Sequence, residues 1–477
     1  MWGVALVLVA VLVVKISHWF YRWANPKCDG ELPPGSMGLP IIGETIEFFS
    51  PHKLYDIPPF IRKRMTRYGD LFKTSLVGQK VVVSTDPEVN YNIFQQENKS
   101  FLIWYTESFI EILGQESLLK YHGKVHKYLK NLILQLVSPE SLRVKLLPEM
   151  NEATRRHLQS WAELGAVDVK DVASDMIFEY FSRKLISYDE KKNKMKLREN
   201  YTAFIEGLIS FPLNIPGTKF HACIQGRNTA IKVIKEIYEQ RKASNKPGND
   251  FLDHMLEEVA REDTILNEAI AVDLIFVLLF ATYETTSAAI TLLTKYIFDH
   301  PKVVEELTKE HEAIIRNRKD ENSDMTWEEY KSMTFTHMVI NETVRLANIV
   351  PGIFRKVVKD VKIKGYTIPA GWVMMVVPSV LHLNADKYED PLAFNPWRWE
   401  GQELHAGSKT FMAFGGGVRL CVGADFAKLQ MTVFLHYFVT KYRWSVTKGG
   451  TVIRKPGLVF PDGLHIEIAE KKAAEVN

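Results

Sequence analysis

The feature that most constrains this chain is a glycine-rich loop at residues 414–423, FGGGVRLCVG, which carries one cysteine, Cys421. The run that follows, residues 424–438, predicts an amphipathic helix. A cysteine at the start of a helix meets free backbone N–H groups and the positive end of the helix dipole, which lower the pKa of a thiol. Cys421 is therefore a candidate metal ligand, and the glycines before it let the backbone approach a flat partner closely. The alternative is a buried structural cysteine beside a turn.

Composition limits the classes of function. Of the 477 residues, 46% are apolar and 25% are charged, which is typical of a globular protein with an ample core. The formal net charge of +3 is too small to indicate nucleic-acid binding. The three cysteines, Cys28, Cys223 and Cys421, are widely spaced and odd in number. No disulfide framework is expected, and a reducing compartment is favoured.

Residues 1–24 are expected to anchor the chain in a membrane. Residues 1–14 are continuously apolar but shorter than the roughly 20 residues that cross a bilayer, and continuing to Trp23 supplies the length. The aromatic and basic residues at the C-terminal end suit a membrane interface, and the positive-inside rule then places the remainder in the cytosol. The alternatives are a cleaved signal peptide and a soluble helix. A signal peptide would need a charged region before the apolar run and a small-residue cleavage site after it.

Residues 25–40 contain Leu32-Pro33-Pro34-Gly35 followed by Gly38-Leu39-Pro40, and predict a stiff, non-helical hinge. Residues 41–477 predict one helix-rich α+β domain with small sheets. Within it, residues 71–77 and 80–84 predict two strands around a turn at Gly78. Residues from about 87 to 319 are mostly helical in pattern, and strands return after residue 351.

A long apolar run at residues 273–290 predicts a buried helix, interrupted by the polar residues Glu284, Thr285 and Thr286. An ionisable group and a hydroxyl inside a buried helix are costly unless they have partners, so they often mark a functional site. A threonine hydroxyl can instead donate to the carbonyl one turn back, which is a common structural arrangement.

Glu342 and Arg345 lie three residues apart in a predicted helix at 334–346 and so share a helical face. Alone, such a pair is usually a surface ion pair that contributes little. A third charged residue, Arg398, lies in FNPWRW at residues 394–399, between this pair and Cys421.

The cysteine loop fits the pattern Phe-x-x-Gly-x-Arg-x-Cys-x-Gly at every fixed position, and on these residues the chain resembles the cytochrome P450 family. The resemblance implies a mainly α (α+β) fold, the cytochrome P450 fold, around haem b. Cys421 would be the axial thiolate ligand, which favours O–O cleavage. Phe414, Arg419 and Gly423 would belong to the same cofactor-binding loop.

Two further segments resemble family motifs. Residues 281–286, ATYETT, resemble the oxygen-activation motif, which implies that Glu284 and Thr285 organise water and relay protons to bound oxygen. Thr282 stands where the family usually has glycine. The second resemblance implies a structural role. In this family the Glu and Arg of a Glu-x-x-Arg motif and a downstream Arg form a buried triad that holds the haem loop in place. Its members here would be Glu342, Arg345 and Arg398.

Basic residues recur at three- and four-residue spacing in residues 120–130 and predict a cationic helix face, which is ordinarily just solvated. In the family this helix supplies cations to the haem propionates, and His126 and Lys130 stand in place of its Trp-x-x-x-Arg. The resemblance therefore implies propionate contacts for His126, Lys127, Lys130 and also Arg355, because a guanidinium suits a carboxylate.

Residues 211–218, 326–333 and 394–399 further resemble the plant clan that oxidises brassinosteroids, sterols and cyclic triterpenoids. Residues 211–218 predict an apolar loop, either a packed turn or a substrate-channel lid that dips into a membrane. Several apolar residues would face the substrate by the same resemblance, although each could equally belong to the core: Phe276, Phe280, Ala281, Ile349, Val350, Ile353, Phe354 and Val459.

The implied function is a haem-thiolate monooxygenase that oxidises a sterol or cyclic triterpenoid by hydroxylation, multi-step oxidation or side-chain cleavage. Electrons would come from NADPH through a separate NADPH-cytochrome P450 reductase. The implied location is the endoplasmic reticulum membrane, crossed once, with the catalytic domain in the cytosol. The alternatives are a haem-thiolate isomerase or dehydratase that needs no reductase, and a non-catalytic haem- or lipid-binding protein.

Overall fold

The computed structural model describes residues 2–54, 56–193, 195–244, 246–402, 407–455 and 457–472. Helices dominate, as the sequence pattern predicts. They are α1 Trp2–Ala24, α2 Thr45–Phe48, α3 Pro59–Tyr68, α4 Pro87–Gln95, α5 Glu107–Leu113, α6 Gly123–Leu136, α7 Pro139–Ser141, α8 Leu147–Leu164, α9 Val169–Ile186, α10 Leu197–Leu208, α11 Lys219–Ser244, α12 Phe251–Val259, α13 Glu268–Asp299, α14 Pro301–Arg316, α15 Trp327–Ser332, α16 Thr334–Ala347, α17 Pro378–His382 and α18 Ala424–Lys441.

The strands form small sheets. They are β1 His52–Lys53, β2 Leu71–Leu76, β3 Gln79–Ser84, β4 Phe101–Ile103, β5 Ala166–Asp168, β6 Ile353–Val357, β7 Val361–Ile363, β8 Tyr366–Ile368, β9 Val373–Val376, β10 Tyr442–Gly449, β11 Ile453–Lys455, β12 Gly457–Val459 and β13 Leu464–Glu470. The largest sheet has the order β2-β3-β9-β6-β4, in which only β3 and β9 run parallel. The predicted hairpin of β2 and β3 is present, and its turn residues Val77 and Gly78 both have positive φ.

Helix α13 forms the centre of the domain and packs against α9, α11, α16 and α18. It begins where the Asn267 side chain accepts a hydrogen bond from the backbone N–H of Ile270 at 2.9 Å, a typical N-cap. The predicted run 273–290 lies within it, and the helix extends further at both ends. Because the apolar residues occur on all sides, the helix is buried by its neighbours over most of its length.

Helix α18, which follows the cysteine loop, corrects the sequence-based expectation of an amphipathic helix. Residues 429–440 are all buried, so the helix has no continuous polar face. Its polar side chains are satisfied internally: Thr432 donates to the carbonyl of Lys428 at 2.9 Å, and Gln430 donates to Thr154 at 3.2 Å. The helix that supports the cysteine loop is therefore a core helix.

Helix α1 contains no buried residue and is long and apolar enough to cross a membrane. The only other described helix that meets this criterion is α13, which is mostly buried as a core helix. At its C-terminal end, α1 is tied to the following segment, because the indole of Trp23 donates to the carbonyl of Gly38 at 3.3 Å. Residues 25–40 contain no helix, in agreement with the predicted hinge pattern.

Two buried histidines predict how stability depends on pH. His311 of α14 and His436 of α18 lie 3.0 Å apart between their Nδ1 atoms. Burial lowers the pKa of His436 to about 3 and that of His311 well below its usual value. The unfolded chain binds these protons near pH 6.5, so stability is fully present above about pH 6.5 and falls as the pH drops below it.

Each buried histidine should lower the free energy of unfolding by about 1.4 kcal/mol for every pH unit below about pH 6.5. Urea unfolding at pH 7 and pH 5 measures the slope, and His436→Gln should make it shallower. An identical slope in that variant would show that His436 does not titrate with unfolding.

Candidate active site

Cys421 lies between a 3-10 turn, Gly417–Arg419, and the start of α18. Its backbone N–H donates to the carbonyl of Phe414 at 3.0 Å, which closes the loop, and Gly423 forms the N-cap of α18. Cys421 remains accessible to solvent, although protein atoms surround its sulfur closely. Burial raises the pKa of the thiol, while the N–H of Gly423 and the charge of Lys130 oppose the rise.

The expected lowering of the thiol pKa by the helix terminus alone is therefore wrong, because burial outweighs it. A metal ion deprotonates a coordinated thiol outright, whatever the pKa of the free group. Cys421 would therefore be a thiolate when it is bound to a metal, and the site favours the neutral thiol otherwise.

Two glycines of the cysteine loop lie against α4. A Cβ on Gly416 would lie 2.7 Å from Cδ2 of Phe94, and a Cβ on Gly417 would lie 2.4 Å from the Phe94 carbonyl oxygen. Gly417 also has φ +63°, a conformation that favours glycine. These two glycines therefore let the loop approach α4 closely.

Thr285 donates from Oγ1 to the carbonyl of Ala281 at 2.6 Å, one turn back in α13. This is the structural arrangement that the sequence left open. It places the hydroxyl beside Ala281, which is exposed within a largely buried helix. Thr282 makes the same kind of bond to Leu278 at 2.9 Å. The side chain that stands where the family has glycine is thus folded back onto its own helix.

Glu284 has a charged partner that sequence reasoning missed. Lys170, the second residue of α9, donates from Nζ to Glu284 Oε2 at 3.0 Å and to Ser287 Oγ at 2.9 Å. Both charged side chains are partly buried, with exposures of 21% and 28%. The two residues are more than a hundred positions apart, so only the packing of α9 on α13 reveals the pair. The carboxylate of Glu284 is accordingly held in place by an ion pair.

The basic residues around α6 only partly share a face. Lys120 lies before the helix begins, which corrects the expectation of one cationic helix face over residues 120–130, and Lys127 is exposed. Lys130 is partly buried and donates to the carbonyl of Val418, in the cysteine loop, at 2.9 Å. His126 is buried, and burial lowers its pKa to about 4, so its imidazole is neutral at pH 7. His126 can therefore offer a hydrogen bond but no charge.

Two guanidinium groups converge near the loop. The side chains of Arg355, on β6, and Arg419 are 3% and 6% exposed, and both lie against the carboxylate of Glu97. Neither Nε–H has an aligned acceptor among the described residues, although Arg355 Nε lies 2.6 Å from Glu97 Oε2. Glu97, which no motif marked, is the second side chain that sequence reasoning missed.

The carboxylate of Glu342 in α16 is completely buried and accepts hydrogen bonds from the two arginines expected from the sequence. Arg345 donates from Nε and Nη2 at 2.8 Å each, and Arg398 donates from Nε at 3.0 Å. Trp399 adds its indole N–H and Asn395 its backbone N–H, each at 3.0 Å. The cluster ties α16 to the segment that precedes the cysteine loop.

The apolar residues expected to face a substrate do not all have accessible surface. Phe276 is fully buried, 5.0 Å from the ring centre of Tyr201 and 5.1 Å from that of Phe204, so its expected place on a pocket wall is corrected. The others keep accessible surface to different degrees: Phe280, Ala281, Ile349, Val350, Ile353, Phe354 and Val459.

Comparison with known proteins decides the family. The family model described as Cytochrome P450 matches residues 33–464. The chain belongs to the cytochrome P450 family. It is 55% identical to Cytochrome P450 87A3 of Oryza sativa subsp. japonica over 95% of this chain and 89% of that protein. It is 41% identical to Beta-amyrin 16-alpha-hydroxylase CYP87D16 of Maesa lanceolata over 99% of this chain and 100% of that protein. A retinoic acid-bound cyanobacterial CYP120A1 matches with a TM-score of 0.82 and 26% identity, covering 93% of this chain and 100% of that one.

The chain is therefore a haem-thiolate monooxygenase with the P450 fold and haem as its cofactor, and reductase-supplied NADPH is standard for this family. The residues present fit that cofactor. Cys421 is a free cysteine in the glycine loop, and the two buried guanidinium groups of Arg355 and Arg419 share a single carboxylate, that of Glu97, so the remaining positive charge suits a group that carries carboxylates.

Proposed function

We propose that this protein hydroxylates a cyclic triterpenoid or a sterol. The observation that carries the proposal is the 41% identity, over essentially the whole of both chains, to a hydroxylase named for β-amyrin, a cyclic triterpene. A rigid apolar substrate also suits the site. Phe280 on α13 and Ile353 on β6 retain accessible surface, and Ile353 lies beside the cysteine loop, where a Cβ on Gly415 would lie 3.8 Å from its side chain.

Cys421 would hold the haem iron, and Arg355, Arg419 and Lys130 would hold its carboxylates, with His126 as a neutral hydrogen-bonding neighbour. When bound, a thiolate-ligated haem activates O2 and inserts one oxygen atom into a C–H bond. The second oxygen atom would leave as water, which takes two electrons from NADPH and two protons. Thr285 and Glu284 would supply the protons from α13, and Lys170 would keep the Glu284 carboxylate oriented.

Thr285→Ala should uncouple NADPH consumption from product formation. Without the hydroxyl, protons reach the oxygen site less selectively, and O2 takes up two electrons and two protons to leave as hydrogen peroxide. We expect product per NADPH to fall about tenfold while peroxide rises, which is less than the roughly 10²–10⁴-fold that a proton-transfer group can contribute, because Glu284 remains in place. Parallel assays of NADPH, product and peroxide measure this partition.

Two variants control for packing. Thr285→Ser keeps the hydroxyl and should restore most of the coupling. Thr291→Ala removes a hydroxyl from the same helix that also donates to the carbonyl one turn back, at 2.8 Å, and should stay coupled. Wild-type coupling in Thr285→Ala would remove Thr285 from the mechanism.

We propose that α1 spans the endoplasmic reticulum membrane once and that the loop at 211–218 also contacts lipid. In this loop Phe211 is 81%, Leu213 45% and Ile215 51% exposed, an unusual amount of apolar surface for a short segment. Residues just after the hinge, including Ile41 at 72%, are exposed as well. A reductase in the same membrane would supply electrons.

The alternatives from the sequence predict different requirements. A haem-thiolate isomerase or dehydratase would convert an already oxygenated substrate without NADPH or reductase. A haem- or lipid-binding protein would bind the same ligands without turnover. The presence of Thr285 and Glu284 on α13 favours a reaction that needs proton delivery, and therefore the monooxygenase.

The test is product analysis by mass spectrometry after the full-length protein, a plant reductase and NADPH are supplied with β-amyrin, other cyclic triterpenes, phytosterols and cholesterol. A product one oxygen atom heavier, or one with a shortened side chain, would identify the substrate class. A normal reduced carbon monoxide spectrum with no product from any of these substrates would overturn the triterpenoid and sterol proposal.

A further inference from the structure

Glu97 lies just after α4, with its side chain between the guanidinium groups of Arg355 and Arg419. The side chain is only 1% exposed; its Oε2 lies 2.6 Å from Arg355 Nε, and its Oε1 lies 3.4 Å from Arg419 Nε. Oε1 also accepts a hydrogen bond from the backbone N–H of Ile103 at 3.0 Å. A carboxylate this deeply buried is costly unless it is paired, and here two arginines and one backbone amide surround it.

Glu97 is positioned by the paired strands β4 and β6 on one side and by the contact between α4 and the cysteine loop on the other. Ile103, which donates to it, is the register partner of Arg355 between β4 and β6. On the other side, Phe94 of α4 lies directly against Gly416 and Gly417 of the cysteine loop. Glu97 is therefore held rigidly to the strand that carries Arg355 and to the loop that carries Arg419.

The charge of the cluster is not balanced. The two guanidinium groups contribute two positive charges and Glu97 contributes one negative charge, so a net positive charge remains beside the cysteine loop. The other ends of the arginines are occupied by neutral groups: Arg355 donates to the carbonyl of Phe354, and Arg419 donates to that of Tyr121. The cluster can thus attract a dicarboxylate, and Glu97 reduces the field that the dicarboxylate and the metal experience.

We propose that Glu97 is a positioning residue that holds Arg355 and Arg419 toward the haem carboxylates and, through its own charge, lowers the reduction potential of the haem. The inference rests on the proposed placement of those carboxylates on Arg355 and Arg419. Adding an electron to a site is easier when nearby charge is more positive, and buried charges are poorly screened by salt. Removing the charge of Glu97 should therefore make the haem easier to reduce.

The test is spectroelectrochemical titration of the full-length holoprotein carrying Glu97→Gln. Gln keeps the length and an oxygen acceptor for Ile103 but has no charge. We expect the equilibrium constant for one-electron reduction to rise about tenfold, which corresponds to about 59 mV in the positive direction. Glu97→Asp restores the charge and should return the potential close to that of the wild type. Glu328→Gln, which removes a charge from a side chain that is 80% exposed on α15, should leave the potential unchanged.

Two results would overturn the proposal: a wild-type potential in Glu97→Gln, or a shift in Glu97→Asp as large as that in Glu97→Gln. If Glu97→Gln fails to retain haem, the rate of haem transfer to apomyoglobin decides. Retention by Glu97→Asp would support the need for charge, and equal loss from both variants would overturn it. Arg355→Ala tests the underlying placement separately, because an unchanged rate of haem loss would remove Arg355 from the carboxylate site whatever the potential of Glu97→Gln.

Discussion

Cys421→Ala is expected to abolish both the thiolate-type spectrum of the reduced carbon monoxide complex and all product formation. Cys421 is the one cysteine in the glycine loop, and its sulfur is the atom that we propose binds the haem iron. An alanine provides no donor atom, so haem would be lost or bound without the ligand that promotes O–O cleavage. Difference spectroscopy of the reduced protein, with haem content measured in parallel, gives the result.

Cys223→Ala is the matched control. Cys223 is also a free cysteine, but it is buried in α11, where a Cβ on Gly207 would lie 2.4 Å from the Cys223 Cβ. Burial raises the pKa of its thiol, in keeping with an inert core residue. This variant should keep the thiolate-type spectrum. A thiolate-type spectrum that persists in Cys421→Ala would show that another residue is the ligand.

Glu342→Ala is expected to destabilise the fold by about 3–5 kcal/mol and to abolish haem binding, because it leaves buried charges without a partner. The Glu342 side chain has no exposed surface, and it accepts charged hydrogen bonds from Arg345 and Arg398 as well as the indole N–H of Trp399. Its removal would also release the segment before the cysteine loop from α16. Urea unfolding and haem content together measure the loss.

Two variants show whether the loss of stability in Glu342→Ala comes from the missing charge or from altered packing. Glu342→Gln keeps the volume, yet it should lose nearly as much stability, since the two arginines lose their shared negative charge. Glu328→Gln, at an exposed position on α15, should change stability by less than about 0.5 kcal/mol. Stability of Glu342→Gln within that same margin would contradict the structural role.

Much of the site could be predicted because its residues fall in short segments with fixed local spacing. The cysteine loop, the threonine and acid of α13, and the pair of Glu342 with Arg345 each lie within ten residues of sequence. Local spacing also predicted the β2 and β3 hairpin and the long buried helix. Arg398 could be added only through the resemblance to the P450 family, which implies a downstream arginine beside the Glu-x-x-Arg pair.

What the sequence did not reveal depends on contacts between distant segments. Lys170 meets Glu284 only because α9 packs on α13, and Glu97 meets Arg355 and Arg419 only because β4, β6 and the cysteine loop converge. Burial is equally nonlocal. It makes His126 neutral, and it places Phe276 in an aromatic cluster with no accessible surface. Periodicity indicated neither of these environments.

The most direct test of the central claim is turnover under isotopically labelled oxygen, ¹⁸O₂, with the full-length protein, reductase, NADPH and the substrate identified from the triterpene and sterol panel. A monooxygenase places one labelled oxygen atom in the product for each hydroxylation and forms product only when NADPH and reductase are both present. Product that carries no label, or that forms equally without NADPH, would contradict this account and would favour the isomerase or dehydratase.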